Sequence, residues 1–228
     1  MTHPFVTLGG VPASLVDSGV YDASEAAHLL AIHVEVVIRW SVPDRDGKAA
    51  IVAPSLEGAF SFVDLVSLAV AGELWRRDIR EVDIRRGVEF LQRATGFPKP
   101  LAQQQVIETI ATSGRSWVAK LKGGWYDLGK GGQGAFDEIV QLYLKSVDYD
   151  SVGAARLWRP APFVVLDPRI QAGAPCVQGT RIPTATVAAL LEVDRPDNVA
   201  TDLDLELDMV LAAAEFEESL ATGVGLMR

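Results

Sequence analysis

The sequence has one cysteine and three histidines among its 228 residues. The lone thiol, Cys176, cannot form an intramolecular disulfide, which is typical of proteins from a reducing compartment. The histidines are His3, His28 and His33, and none has a cysteine or carboxylate partner at a spacing that would ligate a metal ion. The sequence therefore predicts a cytoplasmic protein with no metal site and no cofactor.

Long apolar runs are also missing. No stretch of about 18 apolar residues is present, so we expect no membrane-spanning helix and no membrane partner. The first residues lack a basic segment followed by an apolar run, so we expect no secretory signal. The composition, 49% hydrophobic and 22% charged, is that of a packed globular protein.

The charge is negative but unevenly distributed. A net charge of −9 argues at first against nucleic acid, because attraction to phosphates dominates DNA affinity. Residues 192–218, however, contain ten acids and one base, Arg195, and the rest of the chain is neutral overall. Five arginines outside this segment are candidates for a basic face: Arg76, Arg77, Arg80, Arg85 and Arg86. Overall charge therefore does not decide the kind of partner.

Residues 1–98 begin with the pattern of a helix-turn-helix. Asp22 and Glu25 have the spacing of a capping box, which satisfies free N–H groups at the start of a helix. Apolar spacing indicates a second short helix over Val34–Trp40. Asp46-Gly47, followed by β-prone residues, predicts a hairpin. Two helices followed by a hairpin indicate a winged helix-turn-helix domain.

A second capping box, Ser61 with Asp64, begins a further helix of this domain, and the Gly-Phe-Pro sequence at 96–98 ends it. In residues 99–162, alternating apolar residues on either side of Gly123-Gly124 predict a β-hairpin, and residues 135–144 have helical spacing. We interpret this middle segment as a connector or dimerisation segment.

Residues Trp158–Pro162 have the composition of a linker to a third unit, residues 163–228. After a short strand, this unit has three helical stretches, Thr184–Glu192, Pro196–Asp202 and Leu205–Leu220. The predicted fold class is mainly α with small β-hairpins (α+β), with a C-terminal trihelical, homeodomain-like domain.

No catalytic group of residues is evident. The glycine-rich residues 129–134 lack the order of a phosphate-binding loop, and Cys176 has no neighbouring histidine. We therefore predict a protein that is not an enzyme. A hydrolase that uses the glycine-rich loop with Asp127 or Asp137 is the alternative from another class.

Two stretches resemble known families. Tyr21-Asp-Ala-Ser-Glu-Ala-Ala-His-Leu-Leu-Ala with Ile38-Arg39-Trp40 resembles the helix-turn-helix of MerR-like regulators. Asp167-Pro168-Arg-Ile, Gly173-Ala-Pro and Gly179-Thr-Arg-Ile-Pro183 resemble the motif of the domain-of-unknown-function family 433. The combination resembles VapB-type antitoxins, whose partner is a PIN-domain ribonuclease toxin.

This resemblance implies a homodimeric antitoxin that neutralises its toxin and represses their shared promoter. It places the DNA contacts at His33, Val36, Arg39, Arg45 and Lys48. The acidic C-terminal helices are unsuited to DNA and are assigned to protein contact instead. The alternative is a stand-alone transcription regulator without a toxin, in which the middle segment senses a ligand.

Overall fold

A computed structural model of the chain describes residues 18–113, 116–121, 124–129 and 147–222, together with the backbone of residues 7–8, 11–12 and 140–141. Its helices are α1 Ala23–Leu30, α2 Val34–Ser41, α3 Phe62–Arg76, α4 Glu81–Thr95, α5 Gln104–Ile107, α6 Thr184–Leu191, α7 Pro196–Leu203 and α8 Leu207–Ala221. Its strands are β1 Thr7–Leu8, β2 Val11–Pro12, β3 Ile110–Ser113, β4 Ser116–Leu121, β5 Gly124–Asp127, β6 Val140–Gln141, β7 Val147–Tyr149, β8 Ala155–Ala161, β9 Val164–Leu166 and β10 Cys176–Val177. None of these described helices combines the length and hydrophobicity needed to cross a bilayer.

Both predicted capping boxes are present. The Asp22 carboxylate accepts hydrogen bonds from the backbone N–H groups of Ser24 and Glu25, and the Glu25 carboxylate accepts one from Asp22 N–H. Ser61 and Asp64 make the equivalent pair at the start of α3. Helix α3 is buried on nearly every side and contacts α1, α4 and β8, so it lies at the centre of the fold.

The hairpin predicted around Asp46-Gly47 is wrong. Residues 42–60 form only isolated bridges and turns, and the amides of Ile51 and Val52 both donate to the carbonyl oxygen of Trp40. The chain after α2 therefore folds back onto the end of that helix and forms no two-stranded hairpin. It forms a loop where a wing would lie.

The hairpin predicted in the middle segment is confirmed. Strands β4 and β5 pair antiparallel in a sheet with the order β5-β4-β3-β6. The helix predicted over residues 135–144 lies outside the described residues except at Val140–Gln141, and these two form strand β6, paired with β3.

The linker predicted at Trp158–Pro162 is wrong, because Trp158 to Ala161 belong to strand β8. This strand lies inside a second antiparallel sheet with the order β10-β9-β8-β7. The indole of Trp158 is fully buried in the main hydrophobic core.

The three C-terminal helices are confirmed as α6, α7 and α8. They enclose a small core of their own, built from Val177, Val187, Val199, Ala200, Val210 and Ala213. Phe216 and Leu220, on the last turns of α8, pack instead into the main core that contains α1 and α3. The α+β class is confirmed, and the main core is continuous across the predicted boundaries at residues 98 and 162. The division into domains stays a prediction.

Candidate functional site

Helices α1 and α2 are joined by a tight turn. The turn is made at Ala31, whose left-handed backbone (φ 48°) lets its N–H return to the carbonyl oxygens of Ala27 and His28. Val37 and Trp40 of α2 are fully buried, so one side of this helix is fixed against the core. The opposite side of α2 is the candidate nucleic-acid interface.

The five predicted DNA contacts fall into two groups. Val36 is buried, so its assignment to DNA contact is wrong: it lies on the core side of α2. His33 precedes α2 with 74% of its side chain exposed, and the Arg39 side chain is 52% exposed. Arg45 and Lys48 lie in the loop after α2, where Arg45 is exposed. Four of the five therefore lie along the exposed side of α2 and its following loop.

Most charges on this surface already have partners. Arg39 Nε lies 2.8 Å from Glu81 Oε2, and Lys48 Nζ lies 3.5 Å from Asp44 Oδ2. The hydrogen bonds that Arg39 and Arg85 donate to Glu81 outweigh the opposing effect of burial and hold the pKa of this carboxyl below its usual value. Arg45 is the one predicted contact in the described part of the chain without an acidic partner. A DNA phosphate would therefore have to compete with carboxylates for Arg39 and Lys48.

The loop that replaces the wing is held by a buried arginine. The Arg85 side chain is 2% exposed, and its guanidinium donates to the carbonyl oxygens of Arg39, Val42 and Ala49 at 2.7, 3.0 and 2.9 Å. It also pairs with Glu81 at 3.0 Å. Arg85 thus supplies donors to a loop that has no strand partner, and its role is structural.

The other arginines of the predicted basic face are also engaged. Arg77 pairs with Glu73 at 2.8 Å, and Arg80 and Arg86 both pair with Asp83. Arg76 donates to the carbonyl oxygen of Leu30. These ion pairs could not be predicted from the sequence, because a count of arginines does not show which acids the fold places beside them.

On the C-terminal helices, in contrast, most acidic side chains have no ion-pair partner among the described residues. Of the ten acids in residues 192–218, Asp197 alone has an ion-pair partner among the described residues, Arg195 at 3.8 Å. Eight of the other nine acids are exposed. Asp194, one of these eight, makes local hydrogen bonds: its carboxylate accepts from Arg195 N–H and from the Asn198 side chain. This surface therefore carries a net negative charge that the chain itself does not neutralise.

Exposed leucines lie among these acids. Leu207 and Leu211 of α8 are 38% and 46% exposed. Asp208, Leu211, Glu215 and Glu218 follow one another at helical spacing on the exposed face of α8. We call Leu207 and these four residues the acidic stripe. Apolar groups framed by charge are typical of protein-binding surfaces.

The residues considered for catalysis do not converge in the described part of the chain. Asp127 is buried on β5, and Asp137 lies outside the described residues, as does the glycine-rich segment beyond Gly129. Burial raises the pKa of the Cys176 thiol, which is the direction opposite to that of a catalytic thiolate. No group of three or more metal-ligating side chains is found there either.

Comparison with known proteins adds two similarities. Residues 164–216 match the family described as "Protein of unknown function (DUF433)". The fold is similar to that in the "X-ray crystal structure of Rv2018 from Mycobacterium tuberculosis", with a TM-score of 0.61 and 22% identity over 85% of this chain and 96% of that chain. No curated protein matches. The similarity to DUF433 predicted from the C-terminal motif is therefore confirmed, and the matched 85% of the chain has a fold similar to that of Rv2018.

Proposed function

We propose that this protein is an antitoxin that binds and neutralises a PIN-domain ribonuclease toxin through its C-terminal helices and represses their shared promoter through α1 and α2. In this proposal α1 and α2 act as a DNA-binding helix-turn-helix whose wing is replaced by a loop. Helices α6 to α8 act as a homeodomain-like trihelical unit that has been adapted to bind protein.

The observation that carries this proposal is the unneutralised acidic stripe with its two exposed leucines. A ribonuclease has to attract the RNA backbone, so its substrate-binding surface is basic. An acidic helical face with apolar contacts complements such a surface in charge, and charge complementarity favours rapid and specific association. DNA, in contrast, would be repelled by the same face.

The test is co-expression with the product of the adjacent reading frame. We expect the two proteins to purify together and the ribonuclease to be inactive in the complex.

Reversing three charges of the stripe, with Asp208→Lys, Glu215→Lys and Glu218→Lys, should weaken binding by at least about tenfold, since each lost pair and each new repulsion contributes. The control is Glu57→Lys with Glu108→Lys, which reverses exposed acids outside residues 192–218. A ribonuclease that stays fully active with excess protein would refute the antitoxin role.

The DNA part of the proposal is tested separately by a mobility shift on the promoter of the gene. Arg45→Ala should weaken binding more than Lys48→Ala, because Lys48 first has to leave Asp44 and Asp46. Binding should weaken as salt rises, and each lost phosphate contact should lower the salt dependence by about one. Promoter binding by a protein that neutralises no ribonuclease in the co-expression test would favour the stand-alone regulator.

A further inference from the structure

A groove of about 320 Å³ lies where the helix-turn-helix meets the C-terminal helices. Its walls come from α1, from the turn at residues 171–175, from the start of α6 and from the end of α8. Leu29, Pro175, Ala185 and Leu220 supply apolar surface. The volume falls within the range of about 300–1,000 Å³ typical of small-molecule sites.

The groove is lined by two acids, Glu25 and Glu217, and its described walls contain no lysine or arginine. His28 is the one histidine on these walls. One oxygen of each carboxylate is held in place: Asp22 N–H donates to Glu25 Oε2 at 2.8 Å, and the Thr184 hydroxyl donates to Glu217 Oε1. The second oxygen of each has no hydrogen-bond partner in the described part of the chain. Two positioned carboxylates beside an apolar wall are complementary to a cation with an apolar body.

We propose that this groove binds a small organic ammonium ion, with the ammonium group between Glu25 and Glu217 and the apolar body against Leu29, Pro175 and Leu220. Such a ligand contacts both α1 and α8, so its binding stabilises the packing between the two ends of the chain. The site shares no residue with the acidic stripe or with the predicted DNA contacts.

The test is calorimetric titration of the full chain with 2-phenylethylammonium. The neutral 2-phenylethanol and the anionic 3-phenylpropionate have similar apolar bodies and serve as matched probes. We expect saturable binding of the ammonium ion at millimolar concentrations and weaker binding of the other two. No saturable binding, or equal binding of the alcohol, overturns the proposal.

Variants locate the site. Glu25→Gln keeps the capping box and Glu217→Gln keeps an acceptor for Thr184, so both preserve the local structure while removing charge. Each should weaken ammonium binding by about two- to fivefold, the range for a partly exposed ion pair. Glu192→Gln, at an exposed glutamate just after α6 and outside both the groove and the acidic stripe, is the control and should have no effect.

Filling the groove gives an independent result. Ala185 is exposed on α6, so Ala185→Trp adds bulk to the groove without disturbing the core. We expect this variant to keep the native circular dichroism spectrum and to lose ammonium binding. Unchanged binding in Ala185→Trp, or an equal loss in Glu192→Gln, would contradict the location.

Discussion

The hydroxyl group of Tyr21 donates a hydrogen bond of 2.8 Å to the carbonyl oxygen of Gly173. This bond joins the residues just before α1 to the turn that precedes the C-terminal helices, and it lies in the buried interior. Gly173 has a φ of +92°, and a Cβ atom there would lie 2.1 Å from the Tyr21 hydroxyl oxygen. Both residue types are therefore required for the two ends of the chain to approach each other as they do.

Removing the hydroxyl with Tyr21→Phe should lower the free energy of unfolding by about 1–2 kcal/mol, because the carbonyl oxygen of Gly173 loses its buried donor. Gly173→Ala should lower the free energy of unfolding by more than Tyr21→Phe does, since the added Cβ atom clashes with Tyr21 and the left-handed backbone at residue 173 is strained for alanine. Gly179→Ala is the control for strain alone: its φ is +81°, and no atom lies within 4 Å of its added Cβ. Urea denaturation measures all three. Equal losses in the two alanine variants would contradict the role of the Tyr21 contact.

Arg85→Met should destabilise the protein by about 3 kcal/mol, because three backbone carbonyls and Glu81 lose a buried donor. The loss should be greatest at residues 42–52, whose amides should exchange hydrogen faster in the variant. Arg86→Met, at the next position, removes a half-exposed arginine paired with Asp83 at 3.6 Å and should cost under about 1 kcal/mol. Unchanged exchange at residues 42–52 in Arg85→Met would show that the loop does not depend on this side chain.

Features that depend on neighbouring residues could be predicted from the sequence. The capping boxes at Asp22 and Ser61 need only a partner three residues away, and the three C-terminal helices follow from apolar spacing. The role of Arg85 could not be predicted, because its acceptors are carbonyl oxygens 36 to 46 residues away. The missing wing has the same cause: Arg85 and Trp40 provide the hydrogen bonds that a strand partner would otherwise make.

Strand β8 shows why composition misled at Trp158–Pro162. Prolines are uncommon inside sheets because they lack a backbone donor. The register of β8 against β9 shifts between Trp158 and Ala161, so Pro160 lies at an irregularity where no ladder bond is needed. The burial of Val36 was missed for a similar reason: which side of a short helix faces the core is fixed by elements distant in sequence.

Gly87 is required because α4 lies directly against the indole of Trp117. A Cβ atom at residue 87 would lie 1.8 Å from Trp117 Cζ2, and the indole Nε1 donates to the carbonyl oxygen of Asp83 at 3.1 Å. Gly87→Ala should therefore destabilise the protein by at least about 2 kcal/mol, although alanine favours helices by about 1 kcal/mol over glycine. Thermal denaturation, with Ala94→Gly as the control for helix propensity on the same helix, measures this. A stabilised Gly87→Ala variant would contradict the close packing.

The Cys176 thiol should react slowly in the native protein. The residue is 1% exposed, and burial raises its pKa, so little thiolate is present at pH 8 and reagents cannot reach it. We expect alkylation by iodoacetamide to be at least about tenfold slower than in guanidinium, where only unfolded chains react. Cys176 is the sole cysteine of the sequence, so Cys176→Ser gives the baseline. Rapid alkylation without denaturant would show that strand β10 opens readily.

The pair Asp167 and Arg169 should make stability depend on acid pH. Hydrogen bonds donated by the Arg169 side chain, the shorter at 2.6 Å, hold the pKa of the buried Asp167 carboxyl below its usual value despite burial. A carboxyl whose pKa is lowered by folding stabilises the native state above its unfolded pKa of about 3.9, and this contribution is lost as the pH falls through the folded value. Arg169→Met should therefore destabilise the protein at pH 7, and the difference from the wild type should shrink below about pH 4. Arg159→Met, which breaks an exposed pair with Asp148, should show a smaller loss at pH 7. An Arg169→Met deficit that is the same at pH 3 and pH 7, in urea titrations of both variants, would mean that the arginine acts by packing and not by its charge.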